Sequence, residues 1–126
     1  MGKGVPPPRG PYSHAVIANG FAFLSGQGPR EPATGSYPEG IEEQTRQVMR
    51  NIVSVLGSIG LTLSDVVKSN VYLRHINDFE RFNEVYGSFF KGELPARTTV
   101  QATPPLPEIL VEIEVVAAMR DSDEKK

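Results

Sequence analysis

The sequence predicts an α+β domain in which two helices pack on one face of a mixed β-sheet. Two stretches repeat their apolar residues at helical spacing, and five others have the alternation or the β-prone composition of strands. Their order along the chain is β-β-α-β-α-β-β. In this arrangement the second face of the sheet stays exposed unless another subunit covers it, which points to an oligomer.

A β-hairpin opens the ordered part of the chain. Residues 14–18 are β-prone, Asn19-Gly20 favours a tight hairpin turn, and residues 21–25 form the return strand. Residues 26–40 then contain four glycines and three prolines, a composition that predicts a loop.

The first helix begins at Ile41, and Gly60 ends it. Its apolar residues recur at helical spacing. They are Ile41, Val48, Ile52, Val55 and Ile59. A second set of residues is interpreted as the solvated face of this helix. It consists of Gln44, Arg46, Gln47 and Arg50.

The second helix starts at Asn77 or Asp78, either of which can serve as its N-cap. Aromatic residues repeat along it at three- and four-residue steps, which predicts a buried aromatic face. They are Phe79, Phe82, Tyr86 and Phe89. Gly92 and Pro95 end the helix.

Three further strands are predicted over residues 66–73, 96–102 and 110–119. The last is the most hydrophobic, and yet Glu112 and Glu114 lie together on one of its faces, because side chains alternate along a strand. Charges in such a place are costly unless they are paired or solvated.

The preceding strand offers partners for these glutamates, since Arg97, Thr99 and Gln101 share one of its faces. If the two strands lie close together, these residues and one glutamate line a polar pocket. Arginine can clamp a carboxylate in two places, and a glutamate beside it can act as a general base or hold a water. Spacing alone favours a simpler interpretation, a structural ion pair between Arg97 and Glu112 within the chain or across a subunit interface.

Weaker candidates lie nearer the N-terminus and on the second helix. Tyr12 follows Gly10-Pro11 in a predicted turn and can face a cleft or pack. Ser25 ends a strand before Gly26 but lacks the GxSxG context of a hydrolase nucleophile. Asn83 can face a ligand, although a solvated helix position is the simpler interpretation.

Composition excludes several classes of function. The chain has 126 residues, and we predict a flexible leader over 1–9, a single domain over 10–119 and a charged tail over 120–126. Without cysteine there is no disulfide, zinc-thiolate site or thiol nucleophile. His14 and His75 are the only histidines and form no HxxxH motif, so we expect no metal site.

Charge and hydropathy set the expected surroundings of the protein. A net charge of −2 and a pI near 5.7 argue against a nucleic-acid partner. The N-terminus is too polar for a signal peptide, and no apolar run reaches the length of a membrane span. We therefore expect a cytoplasmic protein without a membrane partner.

A series of short segments resembles one known family in content, order and spacing. They are Gly10-Pro11-Tyr12-Ser13, Phe23-Leu24-Ser25-Gly26-Gln27, Gln44-Thr45-Arg46-Gln47, Asn77-Asp78-Phe79, Phe82-Asn83-Glu84-Val85-Tyr86, Pro95-Ala96-Arg97 and Val111-Glu112-Ile113-Glu114. From about Gly10 to Ala118 the chain resembles the RidA/YjgF family, which is also labelled endoribonuclease L-PSP. The resemblance implies a chorismate-mutase-like fold and a homotrimer whose sheets form a central barrel, with ligand sites between subunits.

The resemblance also implies an activity. Family members with the arginine of the Pro-Ala-Arg segment deaminate 2-imino or enamine acids to 2-oxo acids and ammonia, without a cofactor. Arg97 matches the residue that holds the substrate carboxylate, and Glu112 matches the one that positions or activates water. Further residues match those that line the family's pocket. They are Tyr12, Ser25 and Asn83.

Two positions depart from the family pattern. His14 stands where many relatives have glutamine, and Thr99 stands where well-known members have cysteine. Both positions belong to the expected substrate pocket, so the departures bear on substrate preference, and an aminomuconate-type substrate is one alternative.

Other functions remain open at this point. One is a regulatory module that binds 2-oxo acids in the same clefts without turnover. Another is an RNA-acting translation inhibitor, against which the acidic pI and the lack of a paired-histidine site argue.

Overall fold

The computed structural model describes Pro8 and residues 10–120. This part of the chain contains five strands and two helices in the predicted order. They are β1 (Ala15–Ala18), β2 (Phe21–Leu24), α1 (Ile41–Ser58), β3 (Val66–Leu73), α2 (Phe79–Ser88), β4 (Ala96–Gln101) and β5 (Val111–Ala118). Short 3-10 turns, Leu63–Asp65 and Ile76–Asp78, precede β3 and α2.

The predicted terminal segments fall almost entirely outside the described residues. Of the leader over 1–9, only Pro8 is described, and of the tail over 120–126, only Arg120. The guanidinium of Arg120 forms an ion pair with the carboxylate of Asp65 at 2.8 Å.

The five strands form one mixed sheet in the order β1-β2-β5-β3-β4. The β3–β4 pair is parallel and the other neighbouring pairs are antiparallel. Two parallel strands need a long crossover between them, and α2 supplies it. Strand β5 lies at the centre of the sheet and β4 lies at one edge, so β3 separates the last two strands of the chain.

The backbone at the predicted turns has the conformation that the turns require. Asn19 and Gly20 have φ angles of 52° and 82°, and two positive values are typical of a two-residue type I′ hairpin. Gly60 has φ 81°, and the Leu61 N–H donates to the Leu56 carbonyl at 2.9 Å, which ends α1 as predicted.

The core lies between the sheet and the two helices. The buried face of β5 consists of Val111, Ile113, Val115 and Ala117, as predicted. Val48 and Ile52 of α1 and Phe82 of α2 belong to the same buried cluster. Both helices therefore pack on one face of the sheet, which confirms the predicted α+β architecture.

The solvated helix face predicted for α1 is wrong at two positions. Gln44 and Gln47 are 3% and 8% exposed. The Gln44 amide donates to the carbonyls of Pro38 (3.0 Å) and Glu108 (2.8 Å), while Gln47 donates to the side-chain oxygen of Asn51 at 3.0 Å. Hydrogen bonds to loop carbonyls compensate the burial of the Gln44 amide, and a hydrogen bond within α1 compensates that of Gln47. Helical periodicity contains no information about such partners.

Some element ends differ from the predicted ones. His14 and Ser25 lie just outside β1 and β2, although the Ser25 N–H donates to the His14 carbonyl at 2.9 Å and extends the pairing by one step. Helix α2 ends at Ser88, before the predicted stop at Gly92. Asp78 occupies the N-cap position, but its carboxylate accepts a hydrogen bond from Arg81 at 2.7 Å rather than from the backbone.

The face of the sheet away from the helices is apolar at one end. Val16, Phe21 and Phe23 are 56%, 41% and 46% exposed, and the pairing register puts Val116 beside them. Glu112 and Glu114 lie further along the same face. Exposed apolar side chains grouped in this way mark a surface suited to association.

Candidate functional site

A cleft of about 390 Å³ lies beside the hairpin, where the loop after β2 passes the loop before β5. Four of the predicted site residues line it, and we call them the cleft cluster. They are Tyr12, His14, Ser25 and Glu112. The chain therefore brings together residues that are up to a hundred positions apart in sequence.

Glu112 is the acid of the cleft, and its carboxylate has no hydrogen-bond partner within the described part of the chain. Burial is the main cause that raises its pKa above the ordinary value, and the nearby charge of Glu114 adds to the shift. A Cβ atom at Gly26 would lie 3.1 Å from the Glu112 Oε1, so glycine permits the main chain to approach the carboxylate this closely. A carboxyl whose pKa is raised is, once ionised, a stronger base than an ordinary glutamate, which suits it to accept a proton.

Glu114, two residues further along β5, differs from Glu112 because its carboxylate has a hydrogen-bond partner. The hydroxyl of Tyr72 donates a hydrogen bond to its Oε1. This bond is the largest of the causes that raise the pKa of Tyr72, followed by burial. Glu114 is thus occupied by a neighbour on the same face, while the carboxylate of Glu112 remains available to a ligand or a water.

Gln27 organises the side of the cleft around His14. Its side-chain nitrogen donates to the Ser25 carbonyl at 3.2 Å and lies 3.2 Å from the His14 Nδ1. An amide nitrogen can only donate. The Gln27 side chain therefore donates to both groups, and the Nδ1 of His14 accepts. This assigns the His14 proton to Nε2 when the ring is neutral.

The other two cleft residues have defined contacts as well. The Ser25 hydroxyl donates to the Ser13 carbonyl at 2.6 Å, which leaves its oxygen lone pairs for other donors. The Tyr12 ring meets the His14 ring edge to face, with centroids 6.3 Å apart and planes at 87°.

The remaining predicted residues form a second group at the edge of the sheet, which we call the edge cluster. It consists of Asn83, Arg97 and Thr99. The Arg97 guanidinium carbon lies 5.0 Å from the ring centroid of Tyr86 and 5.5 Å from that of Phe82. These aromatic faces stabilise the cation, and no ion pair joins Arg97 to another residue that the structure describes.

Tyr86 is held in place beneath Arg97. Its hydroxyl and that of Ser69 form a buried hydrogen bond of 2.6 Å. Burial raises the pKa of Tyr86, and the Ser69 hydrogen bond and the Arg97 charge act in the opposite direction. The platform for the guanidinium is therefore fixed to β3 as well as to α2.

Asn83 and Thr99 each have a buried polar atom without a partner in residues 10–120. They are the Oδ1 of Asn83 and the Oγ1 of Thr99. Thr99 shares a face of β4 with Arg97, and Asn83 shares a face of α2 with Phe79 and Tyr86. A buried polar atom normally finds a partner, so these two are suited to contact a ligand or another subunit.

The pocket predicted from Arg97, Thr99, Gln101 and one glutamate does not exist within one chain. Strand β3 separates β4 from β5. Arg97 pairs in register with the buried, helix-facing Ser69, whereas Glu112 pairs with Tyr72 on the opposite face. An ion pair between Arg97 and Glu112 within the chain is excluded by the same geometry, and the Gln101 amide instead donates to the Arg74 carbonyl at 3.1 Å.

Known proteins place the chain in a family. The family described as endoribonuclease L-PSP matches residues 3–119. The chain belongs to this family, the RidA/YjgF family. A RutC family protein of Pyrococcus horikoshii is 44% identical over 91% of this chain and 92% of its own.

Solved structures of RidA/YjgF proteins show the same fold. Escherichia coli TdcF with bound serine has a TM-score of 0.90 at 32% identity and covers 95% of this chain and 97% of its own. RidA from the Antarctic bacterium Psychrobacter sp. has a TM-score of 0.89 at 34% identity, with coverage of 94% and 97%. The predicted YjgF-type fold is thereby confirmed.

Several cleft residues of this RidA/YjgF chain were not identified from the sequence. Gln27, Arg30 and Asn51 line the cleft. The Asn51 amide donates to the carbonyls of Gly28 (3.0 Å) and Arg30 (2.9 Å), which ties the loop after β2 to α1. For Arg30, the sequence signal was a cationic residue in a glycine- and proline-rich loop next to the predicted site.

The described residues contain neither a metal-binding group nor a membrane-spanning helix. No group of three His, Asp or Glu side chains in residues 10–120 could hold a metal ion. Neither described helix has the length and apolar character needed to cross a membrane.

Proposed function

We propose that this protein is a cofactor-independent hydrolase that deaminates 2-imino or enamine acids, at a site completed by two copies of the chain. The observation that carries this proposal is the separation of two complementary groups. Within residues 10–120, neither Glu112 nor Arg97 has a charged partner, and they lie on opposite faces of one sheet. In an oligomer, the edge cluster of one copy can lie beside the cleft cluster of another copy.

The edge cluster supplies the binding function. A guanidinium that is stacked on Tyr86 and Phe82 keeps its hydrogen-bond donors in one plane. Such a planar fork can hold a substrate carboxylate through two parallel hydrogen bonds. The unpartnered oxygens of Asn83 and Thr99 are then available for the imine nitrogen or for water.

The cleft cluster supplies the chemistry. Glu112 removes a proton from a water while the water oxygen bonds to the imine carbon, and the electron pair of the C=N π bond moves to nitrogen. Glu112 then delivers the proton to that nitrogen. In the resulting carbinolamine, Glu112 removes the proton of the new hydroxyl as the C=O bond forms. Glu112 passes this proton to the nitrogen as the C–N bond breaks, which releases a 2-oxo acid and ammonia. Orientation of two reactants accounts for most of the rate gain that this reaction needs.

The assembly we propose is a homotrimer whose sheets form a central barrel. Its formation would cover Phe21, Phe23 and Val16 on the exposed face of the sheet. The serine bound to TdcF supports a small carboxylate-bearing ligand for the cleft. We expect the reaction to occur in the cytoplasm.

The first experiment measures imine hydrolysis by semicarbazide trapping. A PLP enzyme produces 2-iminopropanoate and 2-iminobutanoate in situ, and wild type is compared with Arg97→Ala. We expect wild type to accelerate imine loss and the variant to lose nearly all of this acceleration. Arg50→Ala, which removes an exposed arginine of α1, is the matched control.

A hybrid experiment tests the shared site. Arg97→Ala and Glu112→Gln subunits, each inactive alone, are unfolded and refolded together. About a quarter of the sites in a random mixture then combine an intact Arg97 with an intact Glu112, so activity returns. A site confined to one chain would give no recovery.

The serine bound to TdcF also favours a second candidate, a regulatory module that binds 2-oxo acids without turnover. Calorimetry with 2-oxobutanoate distinguishes the two. Binding to wild type without any acceleration of imine loss would replace the deaminase with this module.

A further inference from the structure

Arg30 lines the same cleft as Glu112, and its side chain has no hydrogen-bond or ion-pair partner in residues 10–120. Its Nε is buried without a hydrogen bond, and no ion pair connects it to another described residue. A buried guanidinium nitrogen without a hydrogen bond is unfavourable, and an acceptor on a ligand would satisfy it. The cleft therefore contains a cation that is suited to bind an anion.

The neighbouring acids do not supply that anion. The Oε1 of Glu31 accepts hydrogen bonds from the hydroxyls of Thr34 (3.1 Å) and Ser36 (3.4 Å). No ion pair joins Glu112 to Arg30, and the charges that shift the pKa of Glu112 do not include Arg30. Both residues therefore line the cleft without pairing with each other.

The surrounding loop holds Arg30 in position. Its carbonyl accepts a hydrogen bond from the Asn51 amide at 2.9 Å, which ties this residue to α1. A Cβ atom at Gly35 would lie 2.9 Å from the Arg30 Nη2, and Gly35 has φ 75°. Glycine adopts this positive φ most readily, and the lack of a side chain lets the loop backbone lie close to the guanidinium.

We propose that Arg30 binds a second carboxylate at the far end of the substrate, which makes the protein selective for dicarboxylic 2-imino acids. This inference rests on the proposed function. Arg97 of a neighbouring copy holds the carboxylate next to the imine, and Glu112 delivers the water. Arg30 forms charge-assisted hydrogen bonds to the side-chain carboxylate. A cleft of about 390 Å³ has the size of a small-ligand site.

Selectivity between two imines tests this inference. Amino-acid oxidases generate 2-iminoglutarate from glutamate and 2-iminopropanoate from alanine, and kcat/KM is measured for each. We expect wild type to prefer 2-iminoglutarate. In Arg30→Met the ratio of the two kcat/KM values should fall by about tenfold or more, because a charge-assisted contact is lost. Arg30→Lys should retain part of the preference, and Arg50→Met should retain all of it.

Binding of stable product molecules provides a second measurement that does not depend on turnover. Calorimetry compares 2-oxoglutarate with 2-oxobutanoate in wild type and in Arg30→Met. A preference for 2-oxoglutarate that disappears in the variant supports the inference, even if no imine is hydrolysed and the deaminase proposal fails.

Other outcomes overturn the inference and leave the deaminase proposal intact. One is hydrolysis of 2-iminopropanoate by wild type with the same selectivity ratio in Arg30→Met. Another is an equal loss of activity toward both imines, which would make Arg30 a structural residue. A change of oligomeric state with an unchanged ratio would assign Arg30 to a contact with another subunit.

Discussion

The cleft cluster is acidic, partly enclosed and built largely on loops, whereas the edge cluster is basic and lies on a helix and on the edge strand of the sheet. In the cleft, Gly26 lets the main chain approach Glu112, and burial raises the pKa of this carboxyl. At the edge, aromatic rings support Arg97 without neutralising its charge. Each cluster thus has the charge that the other one lacks.

This difference indicates which role each cluster has in the proposed reaction. The aromatic platform under Arg97 favours binding of an anion, because the stacked guanidinium is already oriented. The half-buried Glu112 favours proton transfer, because burial raises its pKa and makes its carboxylate a stronger base. Binding and chemistry should therefore respond to different substitutions.

The largest expected effect separates these two roles by kinetics. Glu112→Gln should lower kcat by about 10²- to 10⁴-fold, the usual contribution of a general base. Arg97→Met should act chiefly by raising KM, because it removes the carboxylate clamp. Steady-state kinetics with 2-iminopropanoate measure both parameters. If both substitutions lowered kcat equally and left KM unchanged, the assignment of binding to Arg97 and proton transfer to Glu112 would be wrong.

The next effect concerns the stability of the cleft. Asn51→Ala removes two hydrogen bonds to the loop carbonyls of Gly28 and Arg30, together with the one that the Asn51 side-chain oxygen accepts from Gln47. Leaving buried groups unsatisfied costs about 1–3 kcal/mol, so the free energy of unfolding should fall by about this amount. Urea denaturation measures it, and Ser54→Ala on the same helix is the control. An unchanged midpoint for Asn51→Ala would mean that the loop does not depend on α1.

The smallest effect is a pH dependence of stability at Glu112. Its folded-state pKa lies above the ordinary value of 4.5, so its contribution to stability is complete below that value and decreases as pH rises through the folded-state pKa. Glu112→Gln cannot ionise and should be more stable than wild type at neutral pH. The gain should vanish in acid.

Urea denaturation at neutral and acidic pH measures this gain. Glu84→Gln, which removes an exposed carboxylate of α2, controls for the change in net charge. A stability difference that is the same at both pH values would show that burial of Glu112 has no electrostatic cost.

Most elements of the fold could be predicted because their signals are local. Periodicity predicts α1 and β5, and Asn19-Gly20 predicts the hairpin turn, since a two-residue turn depends on its own φ angles. The residues of both clusters were also found from the sequence, through their residue types and the family resemblance.

The sequence by itself determined the elements, their order and the family, because each rests on neighbouring residues or on short segments. Only the tertiary structure decided that β3 lies between β5 and β4, which puts Arg97 and Glu112 on opposite faces. It also decided that Gln44 and Gln47 are buried and that Arg30 reaches the cleft. These outcomes depend on contacts between residues far apart in the chain, and local spacing does not specify such contacts.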